Sequence, residues 1–96
     1  MASKEAQAKD IQEAIRRILL RDWDPIGVRD APEAQDEYDG YVGPVYRYLA
    51  RGASLNEIAD YLAAVERDAM RLPKAGTDLM KVAERLKQIE ITLRPA

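Results

Sequence analysis

The sequence predicts an all-α protein, a compact bundle of four helices in a single domain, and three observations carry the prediction. Apolar residues recur at three- and four-residue steps in four separate stretches, the spacing that gathers them on one face of a helix. Between the stretches lie residues that stop and start helices: Pro25 with Gly27, Gly52 ahead of Ser54, and Pro73 with Gly76. The 96 residues are 47% hydrophobic and 33% charged, a composition that suits one globular core rather than a disordered chain. The first three helices form the expected core, with a C-terminal helix over about 77–93 added to it.

Helix 1 is expected from about Ser3 to Asp22, with Ala8, Ile11, Ala14, Ile15, Ile18 and Leu19 on its inner face. Glu13 and Arg17 have the spacing of an i,i+4 pair, and Leu20, on the opposite side, is expected to meet the C-terminal helix. Pro25 disfavours helical geometry at Asp24, so Trp23 to Val28 reads as a loop. Its apolar side chains, Trp23, Ile26 and Val28, are expected to close the end of the core.

Helix 2 starts either at Pro32 or near Gln35. Ala34, Tyr38, Tyr41, Val42, Val45, Tyr48 and Leu49 fall on one side of it, and Asp36, Gly40, Gly43 and Arg47 lie opposite. Gly43-Pro44 interrupts this pattern, since an interior proline lacks one backbone donor and crowds the preceding turn; the expectation is one helix kinked near Pro44. Gly52 supplies a stop, and Ser54 with Glu57 forms a capping box that starts helix 3, about Leu55 to Arg71. Its buried face is read as Leu55, Ile58, Tyr61, Leu62, Val65, Ala69 and Leu72. Thr77 is the expected cap of helix 4, whose stripe is Leu79, Val82, Ala83, Leu86, Ile89 and Leu93, interrupted by Glu90.

Composition narrows the function. The chain has no His and no Cys, which removes the usual serine and cysteine triads, imidazole metal ligands, disulfides and Cys-based zinc sites. With no base to activate it, Ser54 reads as a cap and not a nucleophile. No apolar run is long enough for a membrane span, mean hydropathy is -0.44, and the first residues lack a secretory h-region, so a cytoplasmic protein is expected. A net charge of -2 argues against general affinity for nucleic acid, which rests on neutralising phosphates.

Charge is nevertheless uneven. Between Asp22 and Asp39 there are seven acids against one base, Arg29, a local charge of -6 that leaves +4 for the rest of the chain. One reading is that Asp30, Glu33, Asp36 and Glu37 favour the N-terminus of helix 2 through its dipole. The other is a docking surface for a basic protein, with Asp36, Glu37 and Asp39 as the contact residues. Asp24, Asp36 and Asp39 offer oxygen ligands for a hard cation, but without EF-hand spacing no metal or other cofactor is expected.

Trp23-Asp24-Pro25-Ile26-Gly27-Val28, then Pro32, Asp36-Glu37-Tyr38-Asp39 with Tyr41, then Gly52-Ala53 and Glu57-Ile58-Ala59 with Tyr61-Leu62 resemble a family of small bacterial all-helical domains of uncharacterised function. The resemblance covers about Ile11 to Leu72 and implies a helical fold in a bacterial cytoplasmic protein, with no activity attached. Gly52 to Leu62 is also similar to the first half of a DNA-binding helix-turn-helix, but Ala63-Ala64-Val65-Glu66-Arg67 continues the same helix where a turn is required. A bundle whose apolar stripes are all occupied leaves little room for an active-site pocket.

The expectation is therefore a small non-enzymatic interaction module, of the type of an immunity protein or antitoxin, that meets a basic protein partner through its acidic surface. Trp23, Ile26, Tyr38, Tyr41, Ser54 and Glu57 are expected to be structural. The alternative is a structural or regulatory homo-oligomer, a dimer for instance, assembled through the C-terminal helix. Nucleic-acid binding through Arg16, Arg17, Arg47 and Arg51 is the weakest of the readings.

Overall fold

Among the described residues, four α-helices form the bundle: α1 (Lys4–Ile18), α2 (Asp39–Ala50), α3 (Leu55–Ala64) and α4 (Leu79–Leu93). The computed structural model describes residues 4–25, 27, 28, 30–71 and 78–93, the first four and last four of these as backbone only. Among the described residues there is no strand, and no helix is long and apolar enough to cross a membrane. The Cα radius of gyration is 13.3 Å, about the 13 Å of a compact domain of about 100 residues.

The core follows the expected stripes closely. Ile15 and Leu19 from the first helix, Val45 and Leu49 from α2, Ile58 and Leu62 from α3, and Val82, Ala83, Leu86 and Ile89 from α4 are buried together. The C-terminal helix is no appendage to a three-helix core: α4 packs on α3, α1 and α2, and its most extensive contacts are with α3 and α1. A 15-residue helix is marginal alone in water, and docking its apolar face is what holds it. Leu20, expected to meet α4, is buried in the same core, on a turn that packs against α4.

Both α1 and α3 end in a wider π-helical turn, Leu19–Trp23 and Val65–Ala69. Each turn is closed by a five-residue hydrogen bond, Asp24 N–H to Leu19 O at 2.9 Å and Met70 N–H to Val65 O at 3.0 Å. Helical periodicity gives no hint of this, and it changes which residues face inward. Ala69, expected inside, is exposed, while the half-buried Met70 packs on the core in its place. Leu72, Pro73 and Gly76 lie outside the described residues, and so does Thr77. The cap of α4 is Asp78, whose Oδ1 accepts from Met80 N–H at 3.1 Å and from Lys81 N–H at 3.4 Å.

The start of helix 2 also differs from expectation. Pro32–Ala34 forms one 3-10 turn, and successive three-residue hydrogen bonds follow: Glu37 N–H to Ala34 O, Asp39 N–H to Asp36 O and Tyr41 N–H to Tyr38 O. Only at Asp39 does the α-helix begin, and from there it runs unbroken through Pro44 to Ala50 as one helix. Pro44 removes the bond to the Gly40 carbonyl, but Gly40 and Gly43 are exposed, so water can satisfy that group and the glycines relieve crowding.

At its far end α2 stops as the sequence predicts. Ala53 N–H reaches Tyr48 O at 2.9 Å and Gly52 N–H reaches Leu49 O at 3.1 Å, the paired bonds of a Schellman motif, with Gly52 at φ +72°. Ser54 then caps α3. Its Oγ accepts from Glu57 N–H at 3.2 Å, and Glu57 Oε1 accepts from Ser54 N–H at 3.4 Å. The expected Glu13–Arg17 pair is replaced by a pair one residue shorter, Glu13 with Arg16 at 3.9 Å.

Candidate functional site

The acidic segment follows a turn whose inner side makes buried and half-buried polar contacts. Trp23 ends the first helix with 1% of its surface exposed. Its indole Nε1–H donates to Glu66 Oε2 at 2.8 Å, across 43 residues of sequence. Tyr38 is fully buried beside it, with ring centroids 5.3 Å apart, and Tyr41 meets the indole edge-on at 5.9 Å. Such tilted and edge-to-face arrangements are the favourable ones for aromatic quadrupoles.

Asp24 is the second anchor. The chain turns sharply there, at φ +33°, a left-handed conformation that Asp tolerates better than most residues. Its Oδ1 accepts from Val28 N–H at 2.7 Å and from the Tyr38 hydroxyl at 2.8 Å. Gln35 completes the brace by donating from Nε2 to Ala31 O at 2.9 Å and to Val28 O at 3.3 Å. Ile26 lies outside the described residues.

These contacts divide the acidic residues into two groups. Asp24 faces inward as a brace, and Asp39 sits 2.9 Å from Arg16 Nε as an ion pair whose geometry falls short of a directed hydrogen bond. Asp39 is thus partly engaged by its own bundle. Glu33, Asp36 and Glu37 are exposed and form no ion pair or hydrogen bond with any described side chain. Asp39 lies in the first turn of α2, Asp36 and Glu37 come just before its cap at Tyr38, and Glu33 lies in the first turn of the 3-10 helix. Among the described residues no three acidic side chains gather closely enough to hold a metal ion.

Glu66 and Gln35 were missed as contributors by sequence reasoning. Glu66 follows Leu62 by four residues and so sits on the buried stripe of α3, where it is 6% exposed. That register was the available signal, together with the need of a buried indole N–H for an acceptor. No comparable signal marks Gln35.

A second cluster lies at the other end of α2. Tyr48 and Tyr61 pack with ring centroids 5.3 Å apart, and the Arg51 guanidinium stacks 4.6 Å from the Tyr48 centroid. Arg51 also pairs with Glu57 at 3.1 Å. Burial, reinforced by the neighbouring Tyr41 and Tyr48 and opposed by Arg47, holds the Tyr61 phenol above its ordinary pKa. Comparison of the chain with protein-family models, with curated proteins and with solved structures found no match in any of the three.

Proposed function

We propose that this protein is a small non-enzymatic interaction module that docks a basic protein surface through Glu33, Asp36 and Glu37. The observation that carries the reading is the contrast within the loop. Its inner side is braced by Trp23–Glu66, Asp24–Tyr38 and Gln35, while these three carboxylates are exposed and pair with no described side chain. A pre-ordered charged edge loses little entropy on binding, and its field steers encounter with an opposite charge. An inhibitor of the immunity or antitoxin kind has these requirements. Assembly through α4 has less to draw on, because Val82, Ala83, Leu86 and Ile89 are already packed in the bundle's own core.

The test is the combined variant Glu33→Gln, Asp36→Asn and Glu37→Gln, with Asp39 left in place. Its melting temperature should match the parent, since no interaction within the bundle is removed. Pull-downs from the source cell should recover a basic protein with the parent and lose it with the variant. Association of the recovered partner should slow and its salt dependence flatten, because exposed charges act over a Debye length of about 8 Å. Equal recovery by parent and variant would sink the reading.

A further inference from the structure

The cleft of ≈ 310 Å³ lined by Pro44, Arg47, Tyr48, Arg51 and Tyr61 has a chemistry of its own, distinct from the acidic loop at the opposite end of α2. We propose that this cleft binds one carboxylate of an acidic peptide segment, with Arg47 and Arg51 holding the oxygens and the Tyr48 and Tyr61 rings packing against the residue beside it. Pro44, Arg47, Tyr48 and Arg51 stand at positions i, i+3, i+4 and i+7, so one face of α2 and its C-cap supplies them, and Tyr61 closes the cleft from α3.

The donors are pre-arranged. Arg51 is held between the Tyr48 ring and Glu57, which removes much of the rotamer freedom that an arginine otherwise loses on binding. Arg47 is exposed and makes no ion pair with a described residue. Tyr61 keeps its hydroxyl proton, since burial disfavours the phenolate, and can donate it to an anion. Guanidinium groups match a planar carboxylate through paired N–H donors.

Charge decides against a nucleic-acid strand. Glu57 offsets Arg51, so the cleft retains the charge of about one guanidinium, enough for a single carboxylate and poorly matched to a run of phosphates. The volume is at the lower end of the ligand-pocket range of about 300 to 1,000 Å³, which suits a side chain and its neighbour rather than a large cofactor.

Titration of the full chain with acetyl-Pro-Glu-Phe-amide, followed by NMR at the Tyr48 and Tyr61 ring signals, tests the proposal. Saturable shifts at both rings are expected, and the Gln counterpart of the peptide should bind about tenfold more weakly or worse, the worth of a charge-assisted hydrogen bond. Arg47→Ala should cost a similar factor with an unchanged melting temperature, since Arg47 is exposed, and Arg47→Lys should fall between. The Glu33, Asp36 and Glu37 variant should bind the peptide as the parent does, which separates this site from the acidic edge. No saturable shift, equal binding of the Gln peptide, or indifference to Arg47→Ala would overturn the proposal. Oligothymidylate shifting the same rings at lower concentration than the peptide would overturn it in favour of single-stranded nucleic acid.

Discussion

At its C-terminal end α2 is stopped by bonds between residues five or fewer positions apart, Ala53 to Tyr48, Gly52 to Leu49 and the Ser54–Glu57 box. At its N-terminal end the approach is set by contacts that span 14 residues, Tyr38 to Asp24, and 43 residues, Trp23 to Glu66. The first kind of junction can form as soon as the local chain adopts its turn. The second exists only once α1, α3 and the loop have come together. The comparison teaches where stability is concentrated. Losing a local cap weakens one helix end, whereas losing a long-range anchor uncouples several elements at once and frees the loop that carries the acidic edge.

The largest expected effect is therefore at Trp23. Trp23→Ala removes a side chain that is 1% exposed, together with its contacts to Tyr38 and Tyr41. Truncations of this kind cost about 3 to 5 kcal/mol, which for a domain of this size lowers the melting temperature by roughly 15 °C or more. Thermal unfolding measures it directly. A melt within a degree or two of the parent, or fully solvent-exposed Trp fluorescence in the parent, would remove the long-range anchor from the comparison.

Glu66 sharpens the same point at intermediate size. Glu66→Ala removes the Oε2 that accepts from the buried indole N–H, a loss of about 1 to 3 kcal/mol. Glu66→Gln keeps a carbonyl oxygen in place and should retain most of the stability. In Trp23→Phe the donor is gone, so adding Glu66→Ala should cost less there than in the parent. Denaturant melts of the four proteins give the coupling. Additive losses would mean that the 2.8 Å contact contributes nothing as a pair.

This contrast explains what the sequence disclosed. Helical stripes and the α2–α3 turn were legible because their signals lie within a few residues: Ile58, Leu62 and Val65 repeat at helical spacing, and Ser54 with Glu57 has a local mechanism. The register of α3 even included Glu66, but its polarity kept it off the list of core residues. The π turns were not legible, because one extra residue per turn leaves no compositional mark, and Ala69 and Met70 exchanged places as a result. Asp24 was counted with the acidic surface, though it is a brace for Tyr38, and the start of α2 was misread because tertiary demands on Tyr38 favour three-residue turns over a longer helix. In the candidate site, Asp36 and Glu37 are exposed, although the helix expected to carry them begins only at Asp39. That Asp39 is shared with Arg16 required the packing of α1 on α2.

The smallest effect belongs to the local junction. Ser54→Ala removes the acceptor for Glu57 N–H, and loss of such a cap costs about 1 kcal/mol. Ser54→Asp should restore it, since a carboxylate caps as well as a hydroxyl and also favours the positive end of the α3 dipole. A complication is that Ser54 lies next to Glu57, and an added negative charge there is partly repelled. Arg51 limits the repulsion: its guanidinium pairs with Glu57 at 3.1 Å and is within reach of the same turn. The expected order of melting temperatures is parent and Ser54→Asp close together, then Ser54→Ala a few degrees below. If Ser54→Asp fell well beneath Ser54→Ala, charge crowding and not capping would control the junction. The contrast between a locally capped end and a long-range anchored end would then lose its local half.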